Sequence, residues 1–77
     1  MKQVFKFDYG QTVVVTDSAP ASVKPGTQVD VVGMMRLTDK RTVAGQRCQK
    51  GTEVYLIEYE DGSSVELQGA CLELLCE

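Results

Sequence analysis

Few residues in this chain could do chemistry, and their types point away from catalysis. There are three cysteines, Cys48, Cys71 and Cys76, and no histidine. Without histidine there is no Cys–His or Ser–His pair, which closes the usual routes to an activated nucleophile. Three sulfurs without a CxxC spacing do not make the tetrahedral Cys/His set of a structural zinc site, so no metal is expected and the thiols read as reduced. Glu58 and Glu60 alternate onto one strand face, as paired carboxylates do in acid–base sites. They flank a hairpin, however, and read as solvated. "VVGMM" (31–35) holds one glycine and cannot cradle a phosphate. What remains is suited to binding. Tyr9 is an aromatic for a groove, and Lys40, Arg41, Arg47 and Lys50 cluster around 38–51.

The elements that must carry these groups are strands. "VFKFDY" (4–9) alternates Phe5, Phe7 and Tyr9 against Lys6 and Asp8, the period of a half-buried strand. Gly10 ends it, and "TVVVTD" (12–17) is a second strand rich in β-branched residues. "SAPASVKPGTQ" (18–28) holds both prolines and a Pro-Gly pair, so it reads as a long loop closing on a turn. "VDVVGMMRL" (29–37) is a strand with Gly33 inside it, the mark of a bend or a close backbone approach. Residues 38–51 read as a loop or wide hairpin. "TEVYLIEYE" (52–60) and "SSVELQ" (63–68) flank Asp61-Gly62, a strong hairpin signal. "CLELLCE" closes the chain as a short strand or last helical turn.

At 77 residues, 43% hydrophobic and 25% charged, the chain is expected to form one globular domain over 1–77. A domain of this size buries only about 60% of its unfolded surface, so a second source of stability is worth seeking. No apolar run approaches the roughly 18 residues of a membrane span, and the alternating start is not a signal peptide, so cytoplasmic residence is expected. The net charge of −3 divides unevenly: residues 1–50 carry +4 and residues 51–77 carry −7. Generic nucleic-acid binding needs a clustered basic surface and is not expected. The basic 38–51 loop reads as solvated, with a phosphate or acidic-partner contact as the other reading.

In sequence order, "YGQTVVV", "KPGTQVDVVG", "VYLIEYEDGSSVEL" and "CLELL" resemble an SH3-like barrel over residues 9–75. The expected architecture is therefore all-β, a small SH3-like barrel of five or six short strands, with full or near closure hiding its edges. The chain is similar in size and style to small mobile-gene-cassette products and bacterial accessory proteins. "DVVGMMRL" and "VELQGACLELL" also resemble the type II, plasmid-borne dihydrofolate reductases, barrels that assemble around a central pore. That family's Val-Gln-Ile-Tyr pore motif is here Val65-Glu66-Leu67-Gln68. Thr16-Asp17 stand where its pore lysine is expected. An acidic pore, lined by Glu66 and Gln68 if copies assemble, would repel an anionic cofactor and a folate tail. No cofactor is therefore expected, and a reductase-like pore enzyme formed by a homo-oligomer is the alternative reading only.

Placing Val13, Val15, Val29, Val31, Met35, Leu37, Tyr55, Ile57, Tyr59, Val65 and Leu67 inside the barrel fills it. Val14, Val32, Met34, Val54 and Leu56 are then left facing outward, enough to merge into one patch. Such patches mark interaction sites, the other reading being that the N-terminal strand or the C-terminal "CLELLC" folds over them. The expected function is thus non-catalytic: homo-oligomerisation through those five residues, or docking of a protein or peptide partner near Tyr9.

Overall fold

Every residue of Thr12–Val15 (β1) is β-branched, which suits a pleated ladder. The computed structural model describes residues 6–74. In it β1 pairs antiparallel with Gln28–Arg36 (β2), which pairs in turn with Glu53–Glu58 (β5). Ser64–Gln68 (β6) lies on the far side of β5, and Leu72–Leu74 (β7) on the far side of β1. The result is an all-β fold around a five-stranded antiparallel sheet, ordered β6-β5-β2-β1-β7, whose ladder is open at β6 and β7. Arg41–Val43 (β3) and Gln46–Cys48 (β4) form a second, two-stranded sheet.

Seven strands therefore stand where five or six were expected. The difference is β3–β4, tighter than the loop or wide hairpin read from 38–51. Its turn is Ala44-Gly45, with φ of 51° and 79°, the paired positive angles that match the twist of a two-residue hairpin. A second correction falls at the N-terminus. Lys6–Tyr9 is not a strand: the Asp8 amide donates to Gln11 Oε1 and the Gln11 amide donates back to Asp8 O, folding a turn. Phe7 is buried while Tyr9 is 72% exposed, so the two do not share a face. Phe5 and Cys76 lie outside the described residues.

The main core holds Phe7, Val13, Val15, Val29, Val31, Tyr55, Ile57, Leu67, Cys71 and Leu72, with Tyr59 and Val65 packed at its margin. Phe7 meets Tyr55 edge-on, ring centroids 5.2 Å apart. The Asp61-Gly62 hairpin forms as its sequence predicts, with Asp61 accepting from the amide and hydroxyl of Ser63.

The side-chain assignments fail in one place, for one reason. Val31 stands opposite Ile57 and Gly33 opposite Leu56, so Val32 is an extra residue in β2. A bulge of this kind reverses which side chains face the core beyond it. Met35, expected inside, is 40% exposed. Met34, expected outside, packs against the main core. Leu37 joins a second cluster on the opposite face with Val43, Cys48 and Val54. Val54 was expected outward as part of an interface, but β3–β4 covers it and it is 1% exposed.

Candidate functional site

The sheet face away from the main core carries side chains in three registered rows. Thr12, Asp30, Glu58 and Ser64 form one row, Gly33, Leu56 and Glu66 the next, and Met35, Val54 and Gln68 the third. Leu56, 37% exposed, and Met35 are the large apolar side chains left open in the middle of this face. They line a shallow groove of about 210 Å³ with Gly33, Met34, Val54 and Glu66. Gly33 keeps the groove open. A Cβ built there would lie 3.3 Å from Leu56 Cβ, closer than ordinary van der Waals contact.

Opposite charges lie at the two ends of the strip. Toward the β5–β6 turn, Asp30, Glu58 and Glu60 line a cleft of about 240 Å³ with Thr12, Gln28 and Val29. Thr12 Oγ1 donates to Asp30 Oδ1 at 3.0 Å and fixes that carboxylate. At the other end is the β3–β4 hairpin, whose exposed Lys40, Thr42, Arg47 and Gln49 line a basic concavity of about 380 Å³ with Arg41 and Cys48. The hairpin register explains the sorting. Thr42 is opposite Arg47 and Val43 opposite Gln46, so alternate residues either bury Val43 and Cys48 or turn outward.

The hairpin is fastened where it meets β6. Arg41 pairs with Glu66 at 2.8 Å, and Gln68 Nε2 donates to Gln46 Oε1 at 2.7 Å. Gln46 Nε2 also donates to Ser18 O, and the Cys71 thiol donates to Gln46 Oε1. Glu66 and Gln68 are therefore held within the chain. Burial pushes the Cys71 thiol up, away from thiolate chemistry. Among the described residues no group of three or more His, Cys, Asp or Glu side chains could hold a metal ion, and no helix is long and apolar enough to cross a membrane.

On the N-terminal side of β5 lies a partly buried polar cluster. Tyr55 OH donates to Glu53 Oε1 at 2.5 Å and accepts from the Phe7 amide at 3.1 Å. The Lys6 amide donates to the same carboxylate oxygen at 3.0 Å, and Arg36 pairs with the other at 3.3 Å. Burial, then the Glu53 hydrogen bond, raises the Tyr55 hydroxyl to about 12. Burial works against the charged Glu53, yet Tyr55, the Lys6 amide and Arg36 outweigh it and hold the carboxyl below its ordinary value. A tyrosine raised this far is a poor acid or base near neutrality. The cluster's evident work is to strap Lys6 and Phe7 onto the sheet.

Of the residues expected at an interface, the structure brings Met34 and Leu56 to the groove, and Val54 to its floor. Val32 is the half-buried bulge residue. Val14 stands apart, beside Gln28 and Glu73 at the far end of β2. Tyr9 sits on the turn whose Gly10 amide donates to Val31 O, next to the bulge. Sequence reasoning missed Met35 and the hairpin's covering role; Gly33 inside a strand was the available signal. Comparison with known proteins gives no match: no family model fits the chain, and no curated protein or solved structure matches it.

Proposed function

We propose that this chain is a small SH3-like barrel that acts by binding rather than catalysis, and that it associates with itself through the Met35–Leu56 face. The barrel reading is supported by connectivity. β6 and β7 are opposite edges of the sheet, yet only the 3₁₀ turn Gly69–Cys71 separates them. Laid flat, those edges would lie about 19 Å apart, four inter-strand spacings. A single 3₁₀ turn of three residues advances only about 6 Å. That mismatch supports a sheet curled toward a half-open barrel, its edges brought together at one corner.

The binding reading rests on one observation: after β3–β4 has covered Val54, Met35 and Leu56 stay open beside it on the same face. A neighbouring copy covering them would add buried surface that a domain this small lacks. A reductase-like pore would need Glu66 and Gln68 directed into a shared channel. Both are tied to the hairpin instead, and nothing about them favours that reading.

Size exclusion with light scattering tests the proposal. The protein at tens of micromolar should run above monomer mass, and Met35→Lys with Leu56→Lys should return it to monomer while circular dichroism stays unchanged. A monomeric parent protein, indifferent to both substitutions, would refute it.

A further inference from the structure

We infer that the partner copy docks across a two-fold axis passing close to Leu56, so that the acidic end of each chain meets the basic hairpin of the other. This rests on the self-association proposed above and specifies its geometry. Leu56 is the midpoint of the charged face. Two residues along β5 on one side is Glu58, in the acidic cleft with Asp30 and Glu60. Two residues on the other side is Val54, under the hairpin that carries Lys40 and Arg47 outward. Each step is about 6.6 Å along the strand, so the acidic residues begin on one side of Leu56 and the hairpin's cover on the other, with Arg47 on the hairpin's outward side.

A two-fold interface places the same patch on both partners and must be complementary to itself. Turning this face by half a revolution about Leu56 lays apolar centre on apolar centre, and Glu58 and Glu60 toward Lys40 and Arg47. A parallel superposition would instead set acid on acid and base on base, which is costly at an interface. Area argues the same way. A stable interface covers about 800 Å² of each partner, a substantial share of the 5140 Å² this domain exposes. Met35 and Leu56, only 40% and 37% exposed, cannot supply that area alone, so the charged flanks have to take part.

Complementary charge reversal tests the geometry. One variant carries Glu58→Lys and Glu60→Lys, the other Lys40→Glu and Arg47→Glu. All four positions are exposed, and Lys at 58 faces Asp30, so both chains should fold. Each variant alone should dimerise roughly tenfold or more weakly than the parent, because attractions at both ends become repulsions. Mixed one to one, they should form a heterodimer near parental affinity, since every reversed end then meets its reversed counterpart. Raising the salt should weaken the parent dimer and leave the Leu56→Lys chain unchanged. If the parent dimerises but the mixture is no tighter than either variant, or the parent forms open-ended oligomers, the two-fold docking is wrong and self-association stands. A parent that never associates overturns both.

Discussion

Val54 and Leu56 sit two residues apart on the same side of the same strand, and their fates differ completely: 1% exposed against 37%. Both are apolar, both are in regular β conformation, and both face away from the main core. What separates them is a hairpin that begins at Arg41, brought over Val54 by Leu37, Val43 and Cys48 and halted at Glu66 by Arg41. The sheet thus makes two cores from its two faces, and the second is finished only halfway. The covered half is sealed by the hairpin, and the open half leaves Met35 and Leu56 exposed. The boundary between them is set by the reach of eight residues of hairpin, not by anything in β5 itself.

The same substitution at both positions gives the largest separation. Val54→Lys pushes an ammonium into a sealed apolar cluster and is expected to cost about 3 kcal/mol or more, a large part of the stability of a chain this size. Leu56→Lys places the ammonium opposite Glu66 at an open site and should change the monomer's stability by less than about 1 kcal/mol. Urea unfolding of the two variants, with Leu56→Lys as the monomer reference, measures the gap. Equal losses would mean the hairpin does not seal Val54.

Why the sequence revealed one half of this contrast and hid the other follows from the physics of alternation. The strands of the main sheet from β1 to β6, the Asp61-Gly62 hairpin and the inward set Val13, Val15, Val29, Val31, Tyr55, Ile57 and Leu67 were legible, because each depends on local pattern and turn chemistry. Met35 and Leu37 were misplaced because one extra residue at Val32 inverts everything after it, and a bulge leaves only Gly33 as its trace. Val54 was misplaced because its cover comes from β3–β4, whose polar, glycine-broken sequence conceals two inward residues, Val43 and Cys48. Of the surplus apolar positions expected outward, Leu56 is exposed, Met34 and Val54 pack into the two cores, Val32 is the half-buried bulge and Val14 stands apart, while Met35 joins Leu56 unexpectedly. The N-terminal segment deceived by periodicity alone, since Phe7 and Tyr9 alternate correctly for a strand that the Asp8–Gln11 turn replaces.

A smaller effect sharpens the comparison from the core side of the same strand. Glu53 and Tyr55 hold the N-terminal segment down while Val54, between them, faces the hairpin. Tyr55→Phe leaves the Phe7 amide without its partner and takes one donor from Glu53 Oε1, which keeps the Lys6 amide, and should cost about 1–3 kcal/mol. The pair also predicts a plateau in pH. Glu53 has a folded value below its ordinary 4.5, so its contribution is present above 4.5 and drains away as pH falls through the lower folded value. Tyr55 is raised from 10.0 to about 12, so its contribution is intact below pH 10 and lost as pH rises toward 12. Thermal unfolding across pH should show the alkaline shoulder flatten in Tyr55→Phe while the acid limb persists. An unchanged alkaline limb would remove Tyr55 from its cause.

The smallest effect concerns the turn that lets the hairpin reach Val54 at all. Ala44 holds φ at 51°, a conformation that costs an alanine about 1 kcal/mol or more relative to glycine. Its side chain nonetheless packs against both cores, the only one among the described residues to do so. Ala44→Gly should relieve the backbone and lose a buried methyl worth about 0.8 kcal/mol, leaving stability within about 0.5 kcal/mol of the parent. The near-cancellation would hide two real terms, and Ala44→Val exposes them. A branched side chain keeps the apolar contact but meets a much harsher penalty at positive φ, so it should destabilise by about 1–2 kcal/mol. If glycine instead stabilised the protein by the full backbone term, the methyl would contribute nothing. The two cores would then be joined only through the sheet between them, and the hairpin would cover Val54 without being anchored at its tip.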